Sequence, residues 1–219
     1  MPAEAKADTK KRVAKIIRVL SKRYPNPRTA LHYRTPLELL IATMLSAQCT
    51  DERVNKVTAT LFKKYRSAED FAAVSQEQLE EEIRSTGFYH NKARNIRAAA
   101  AKIVRDFGGK VPDNMDDLLS LPGVARKTAN LVLGDAFGKT AGIVVDTHVT
   151  RLSQRLKLTR HKNNQGDRIE KDLMELVPRK HWTAFAHMLI YLGREFCTAR
   201  NPNCQDCPIN SLCPSAFKV

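Results

Sequence analysis

The chain is short of three things whose absence narrows its class. No apolar run approaches the roughly 20 residues needed to cross a bilayer, and the stretch from Met1 to Arg12 is charged and leads into no signal-peptide core. This composition excludes a membrane-spanning helix as the organising element and reads as a cytoplasmic, nucleoid-associated chain with no membrane partner. Alternating apolar and polar runs, the signature of half-buried strands, are nearly missing, which excludes a sheet-based fold. Acidic charge is scarce: 23 Asp and Glu stand against 37 Lys and Arg, a formal net charge of +14. The imbalance argues against a cationic partner and favours a polyanion, nucleic acid first. With 219 residues there is room for one large or two small domains with a proper core.

What remains is helical. Residues 10 to 23 form a basic amphipathic helix with Val13, Ile16, Ile17 and Leu20 inward, ended by Pro25 and Pro27. Residues 36 to 47 read as a buried helix, and Thr50-Asp51-Glu52 opens another that runs to about Tyr65. Ser75-x-x-Gln78 is a capping-box pattern for a helix that stops near Gly87. A long helix follows from His90 to Phe107, with Ile96, Ala100, Ile103 and Val104 inward and Lys92, Arg94 and Arg97 on the expected solvated face. Further helices are predicted at about 114 to 121, 124 to 137, 146 to 157, 164 to 177 and 181 to 196.

Two segments carry chemistry. In Leu121-Pro122-Gly123-Val124-Ala125-Arg126-Lys127 a Pro-Gly turn opens a helix, whose first N-H groups have no intrahelical partner and can bind an anion. If the anion is a DNA phosphate, Lys127 lies about one turn beyond it, near the adjacent sugar, and its neutral amine can attack the anomeric carbon and hold the opened sugar as a Schiff base. Asp146, in Val145-Asp146-Thr147-His148, can take the lysine's proton or steady the positive sugar as the base leaves. Taken alone, the same residues read equally well as a turn before an ordinary helix, with Lys127 and Asp146 as solvated charges. His148 titrates near neutrality and could shuttle a proton, or simply begin a helix.

The second segment holds four of the five cysteines as Cys197-x6-Cys204-x2-Cys207-x5-Cys213. So short a loop has too little apolar material to order itself, so a multivalent ligand is expected to do so. An iron-sulfur cluster, a zinc ion and disulfides are the options. Cysteine zinc sites usually bring two close pairs, and a reducing cytosol disfavours disulfides, which tilts the reading toward a 4Fe-4S cluster. Cys49 stands apart and reads as a packed thiol.

Together the Leu-Pro-Gly hairpin, the lysine behind it, Val-Asp-Thr-His and the 6-2-5 cysteine loop resemble the endonuclease III family of DNA glycosylases. Leu45-Ser46-Ala47-Gln48 with Thr50-Asp51, and Thr86-Gly87-Phe88-Tyr89, extend the match in the family's order over nearly the whole chain. The resemblance implies an all-α fold of two helical domains with a DNA-binding groove between them. One is a six-helix barrel with the helix-hairpin-helix at 31-138; the other is a cluster domain from 1-30 and 139-219, with the 4Fe-4S loop at 197-213. It implies a monomer acting on damaged double-stranded DNA in base excision repair, removing oxidised pyrimidines and then cleaving the abasic site by β-elimination. Lys127 is then the nucleophile, Asp146 its assistant, and Cys197, Cys204, Cys207 and Cys213 the cluster ligands. Gln48 and Phe88 match the family's gap-filling positions beside a flipped-out base. Leu121, Gly123, Ala125, Arg126, Lys92 and Arg200 are the further expected DNA contacts, with Arg94 as another candidate for a backbone phosphate.

Some positions depart from the family's pattern. Phe88 stands where the best-known members carry leucine, and Ala125 where most carry glycine, so the backbone at 125 must avoid a glycine-only conformation or bear strain. Arg200 is the only basic residue between Cys197 and Cys204. Two alternatives remain: an adenine-mismatch glycosylase, whose catalytic glutamate aligns with Ala42 here and which lacks the lysine, and a non-catalytic DNA-binding relative.

Overall fold

A computed structural model describes residues 4-218. Among them are eleven α-helices, three short 3-10 turns and no strand, as expected of an all-α chain. The helices are α1 (Lys6–Arg23), α2 (Pro36–Leu45), α3 (Asp51–Lys64), α4 (Ala68–Ala73), α5 (Gln76–Ile83), α6 (Tyr89–Phe107), α7 (Met115–Leu119), α8 (Arg126–Phe137), α9 (Thr147–Arg155), α10 (Gly166–Leu176) and α11 (Trp182–Glu195). The chain divides into two compact units: Thr29–Lys139, and the described parts of Met1–Arg28 and Thr140–Val219.

In the unit Thr29–Lys139 the central element is α2. Thr35 caps it through the Glu38 N-H at 3.2 Å, Pro36 occupies its first turn, and the Glu38 carboxylate reaches back to the Arg34 N-H. Its apolar run leaves no solvent face: Leu39, Leu40, Ile41, Ala42, Met44 and Leu45 are all buried, so α3, α6 and α8 can pack around it. The long α6 buries Ala93, Ile96, Ala99, Ala100 and Ile103 on one stripe and carries α4 and α5 against it.

Helix α4 was not visible in the sequence pattern, because six residues are too few to show a helical period. It is fixed instead by its start. Ser67 accepts from the Asp70 N-H while the Asp70 carboxylate accepts from the Ser67 N-H at 3.0 Å, a complete capping box, and Phe71 beneath it is buried against the Tyr65 ring. At Ser75 the side chain accepts from the Gln78 N-H, one half of the expected capping box. The other correction of consequence is at α8, which starts at Arg126 rather than 124. The Pro-Gly turn closes with the Val124 N-H on the Leu121 carbonyl at 3.1 Å, leaving Val124 in the loop and Ala125 as the N-cap.

In the other unit Val13, Ile16, Ile17 and Leu20 of α1 are buried as the periodicity required, with α1 packed on α10 and α11. Helix α9 packs on α11 and α10. Ser67→Ala removes one half of the α4 capping box and is expected to cost about 1 kcal/mol of unfolding free energy, read as a lower midpoint in urea; an unchanged midpoint would show that α4 does not depend on its cap.

Candidate functional site

The hairpin is built around Gly123. Its φ of +76° lies in the left-handed region, and a Cβ there would stand 2.8 Å from Asn95 Cβ, so both conformation and space demand glycine. Ala125 needs no such freedom: at φ -95° and ψ 169° it is ordinary extended backbone, and the strain feared for a non-glycine residue does not arise. As an alanine it supplies no side-chain cap, so no side chain of the N-cap competes for the first-turn N-H groups of α8. Lys127 is the second residue of that helix and is exposed; Arg126 beside it is half-buried. Leu121, expected among the DNA contacts, is only 2% exposed. Its side chain anchors the hairpin from inside and is not available to a ligand.

In the same unit, a pocket of about 200 Å³ collects residues from three separate segments: Gln48, Phe88, Lys92 and Gly123, with Met44 and Asn95. Phe88 is 62% exposed, and Gln48 is exposed as well. Both have left-handed backbone, φ 53° at Gln48 and 50° at Phe88. Lys92 is a correction. Expected on the solvated face and at a DNA phosphate, it is 6% exposed, and its Nζ donates to the carbonyls of Leu45 at 2.7 Å and Thr86 at 2.8 Å. The signal was present: position 92 continues the buried stripe of Ile96, Ala99 and Ile103 at helical spacing. Arg94, by contrast, is exposed and donates to Asn91 Oδ1.

In the other unit Asp146 is the N-cap of α9, half-buried, its Oδ1 accepting from the Val149 N-H at 2.8 Å. A carboxylate accepts through two oxygens, so capping does not exhaust it. His148 lies on the first turn of α9, its Nδ1 3.1 Å from Arg151 Nη2. Burial is the chief cause that lowers its pKa, with Arg151 and Arg194 adding to the effect against the attraction of Asp146. Gly193 on α11 permits this packing: a Cβ there would stand 2.9 Å from His148 Nδ1. Sequence reasoning did not find Gly193, because one glycine inside a helix signals nothing by itself.

All five cysteines are free thiols, which removes the disulfide reading. Cys197, Cys204, Cys207 and Cys213 line one small cavity together with Arg155 and Phe196. Burial pushes the thiols of Cys207 and Cys213 up, and the charges of the neighbouring sulfurs push the same way. Among the described residues, no three His, Cys, Asp or Glu side chains are placed to hold a single metal ion. Four cysteine sulfurs lining one cavity are a donor set that fits an iron-sulfur cluster. Arg155 closes the loop from α9: its guanidinium donates to Cys197 Sγ at 3.2 Å, the Thr198 carbonyl at 2.7 Å and the Ala199 carbonyl at 2.9 Å. Arg151 adds a bond to the Cys197 carbonyl at 3.1 Å. Arg200 is exposed on the same loop.

Residues 41-179 match the HhH-GPD superfamily of base excision DNA repair proteins, and residues 197-213 match the iron-sulfur binding domain of endonuclease III. The chain is 54% identical to endonuclease III of Synechocystis over 96% of its own length and 95% of the relative's. To endonuclease III of Bacillus subtilis it is 48% identical, with 89% and 88% covered. A solved non-covalent complex of an endonuclease III with DNA superposes with a TM-score of 0.88 at 45% identity, covering 94% of this chain and 96% of that one. This chain belongs to the endonuclease III family.

Membership makes it a base excision repair DNA glycosylase and makes the cysteine loop the seat of a 4Fe-4S cluster. When bound, the cluster supplies the multivalent centre that orders the loop. The adenine-mismatch alternative finds no support: Ala42, at the position of that enzyme's glutamate, is a fully buried apolar residue of α2. No described helix is long and apolar enough to cross a membrane.

Because burial lowers the pKa of His148, the folded chain resists its protonation while the unfolded chain does not. Its contribution is present above the ordinary histidine pKa of about 6.5 and is lost as pH falls through the lowered folded value. The loss of urea stability on acidification is therefore expected to be smaller in His148→Gln than in the unaltered protein, and equal losses would contradict the burial argument.

Proposed function

We propose that this glycosylase is bifunctional: it removes oxidised pyrimidines from duplex DNA and then cuts the strand at the abasic site, with Lys127 as nucleophile. The observation that carries the reading is the exposed Lys127 on the first turn of α8, directly behind the uncapped helix start of the Gly123 hairpin. In this reading the hairpin amides hold a backbone phosphate with Arg126 close by, and the lysine follows within reach of the neighbouring sugar. Asp146 is the proposed assisting carboxylate, and we take the two units as the domains of the enzyme: a hairpin-bearing barrel and a cluster domain. Its substrate places it on the nucleoid in the cytoplasm, acting as a monomer.

Asp146 accepts a proton from the Lys127 ammonium, and the freed Nζ pair attacks C1′ as the glycosidic bond breaks, its electrons leaving with the base, which takes up that proton from Asp146. With that proton passed on, the Asp146 carboxylate offsets the positive charge that remains on the sugar. Opening of the C1′-O4′ bond, with one Nζ proton passing to O4′, gives the Schiff base. Loss of a C2′ proton then expels the 3′ phosphate with the C3′-O electrons, and water releases Lys127. Gln48 and Phe88 fill the gap left by the flipped nucleotide, which costs a few kcal/mol to extrude. Cys197, Cys204, Cys207 and Cys213 are the proposed cluster ligands, and the exposed Arg200 on their loop is a proposed phosphate contact.

Borohydride reduction during turnover is expected to trap a protein-DNA adduct that Lys127→Ala no longer forms; undiminished trapping in that variant would remove Lys127 from the role. Asp146→Asn keeps a competent N-cap for α9, so it should bind lesion DNA normally while losing at least about 100-fold in base release; near-normal turnover would defeat the assignment. Cys204→Ser is expected to cost the purified protein most of its brown colour and iron, and an unchanged iron content would exclude Cys204 as a ligand.

A further inference from the structure

Lys92 turns its charge inward, and what it holds is informative. An ammonium has three N-H donors and no acceptor, and two of the donors are committed to the carbonyls of Leu45 and Thr86. Leu45 is the last residue of α2, where carbonyls lose their helical partner and the helix dipole favours a cation. Thr86 ends the 3-10 turn Arg84–Thr86. Three residues past Leu45 is Gln48, and two past Thr86 is Phe88. A side-chain-bearing residue in the left-handed region is strained and persists only where its surroundings dictate it. The backbone N-H of Lys92 also donates to the Phe88 carbonyl at 3.1 Å. One residue thus ties together two loops, 46-50 and 84-88, whose exposed tips line one pocket.

We propose that Lys92 is a positioning residue for duplex opening: by clamping the Leu45 and Thr86 carbonyls it sets the spacing of Gln48 and Phe88, so that both side chains enter the DNA helix as one unit. This rests on the gap-filling reading of Gln48 and Phe88 given above. A neutral aliphatic chain would fill the same space but leave both carbonyls without a donor, and a shorter amide could not span them. Lys92 accordingly contributes no phosphate contact of its own.

The test uses the full holoprotein and a lesion duplex with 2-aminopurine opposite the lesion, whose fluorescence rises when it is unstacked. Saturating unaltered protein is expected to raise the signal. Lys92→Met should bind with the same salt dependence yet lose more than half of the rise, and Lys92→Arg, which keeps charge and donors, should recover most of it. In a Gln48→Ala, Phe88→Ala background, adding Lys92→Met should slow single-turnover base release no further. If Lys92→Met does not stay folded at the assay temperature, Lys92→Gln carries the same expectation with a smaller loss. A full rise in either variant, or a cost that persists undiminished without Gln48 and Phe88, overturns the clamp. So does a salt slope reduced by about 0.9, the signature of one lost phosphate contact. If the Gln48→Ala, Phe88→Ala protein still gives the full rise, the gap-filling reading fails first and the clamp falls with it.

Discussion

Peptide carbonyls that lose their partners where helices end are the constraint on which this structure turns. A buried carbonyl without a donor is costly, and a protein built of eleven described helices with short connections has many of them. At the functional loops the donors are cations reaching across from a neighbouring helix. Lys92 of α6 serves Leu45 and Thr86, while Arg155 and Arg151 of α9 serve Thr198, Ala199 and Cys197. The positive charge that marks the composition is therefore partly internal.

The arrangement separates what must be rigid from what must be free. The carbonyl clamps sit beside the residues proposed to meet DNA and leave those residues exposed: Gln48 and Phe88 beyond the Lys92 clamp, Arg200 beyond the Arg155 clamp. The hairpin follows the same logic in reverse. There the unpartnered groups are N-H donors at the start of α8, and Ala125 offers them no side-chain cap, which is what a site awaiting an anion requires. Asp146 holds α9 with one oxygen and leaves a second for the proposed chemistry.

Much of this was legible in the sequence. Apolar periodicity located α1 and α6 to within a few residues, because each buries one stripe against a core, and the 6-2-5 cysteine spacing favoured a cluster over zinc or disulfides. Helix α4 escaped because its stability comes from a local capping box and one buried ring, Phe71, rather than from a repeat. Lys92 was misplaced because residue type outweighed position: a lysine reads as surface charge even where it continues a buried stripe. Gly193 could not be read at all, since its reason is a close approach of α9 that only the folded unit contains. Ala125 is the opposite case, an apparent conflict dissolved by an ordinary φ.

The central claim is that the hairpin delivers one particular amine to the sugar. It is tested most directly by digesting the borohydride-reduced adduct and locating the modified lysine by mass spectrometry. The account predicts that the sugar remnant is carried on Lys127, in the first turn of α8. A remnant carried mainly by any other lysine, or by the N-terminal amine, would contradict it.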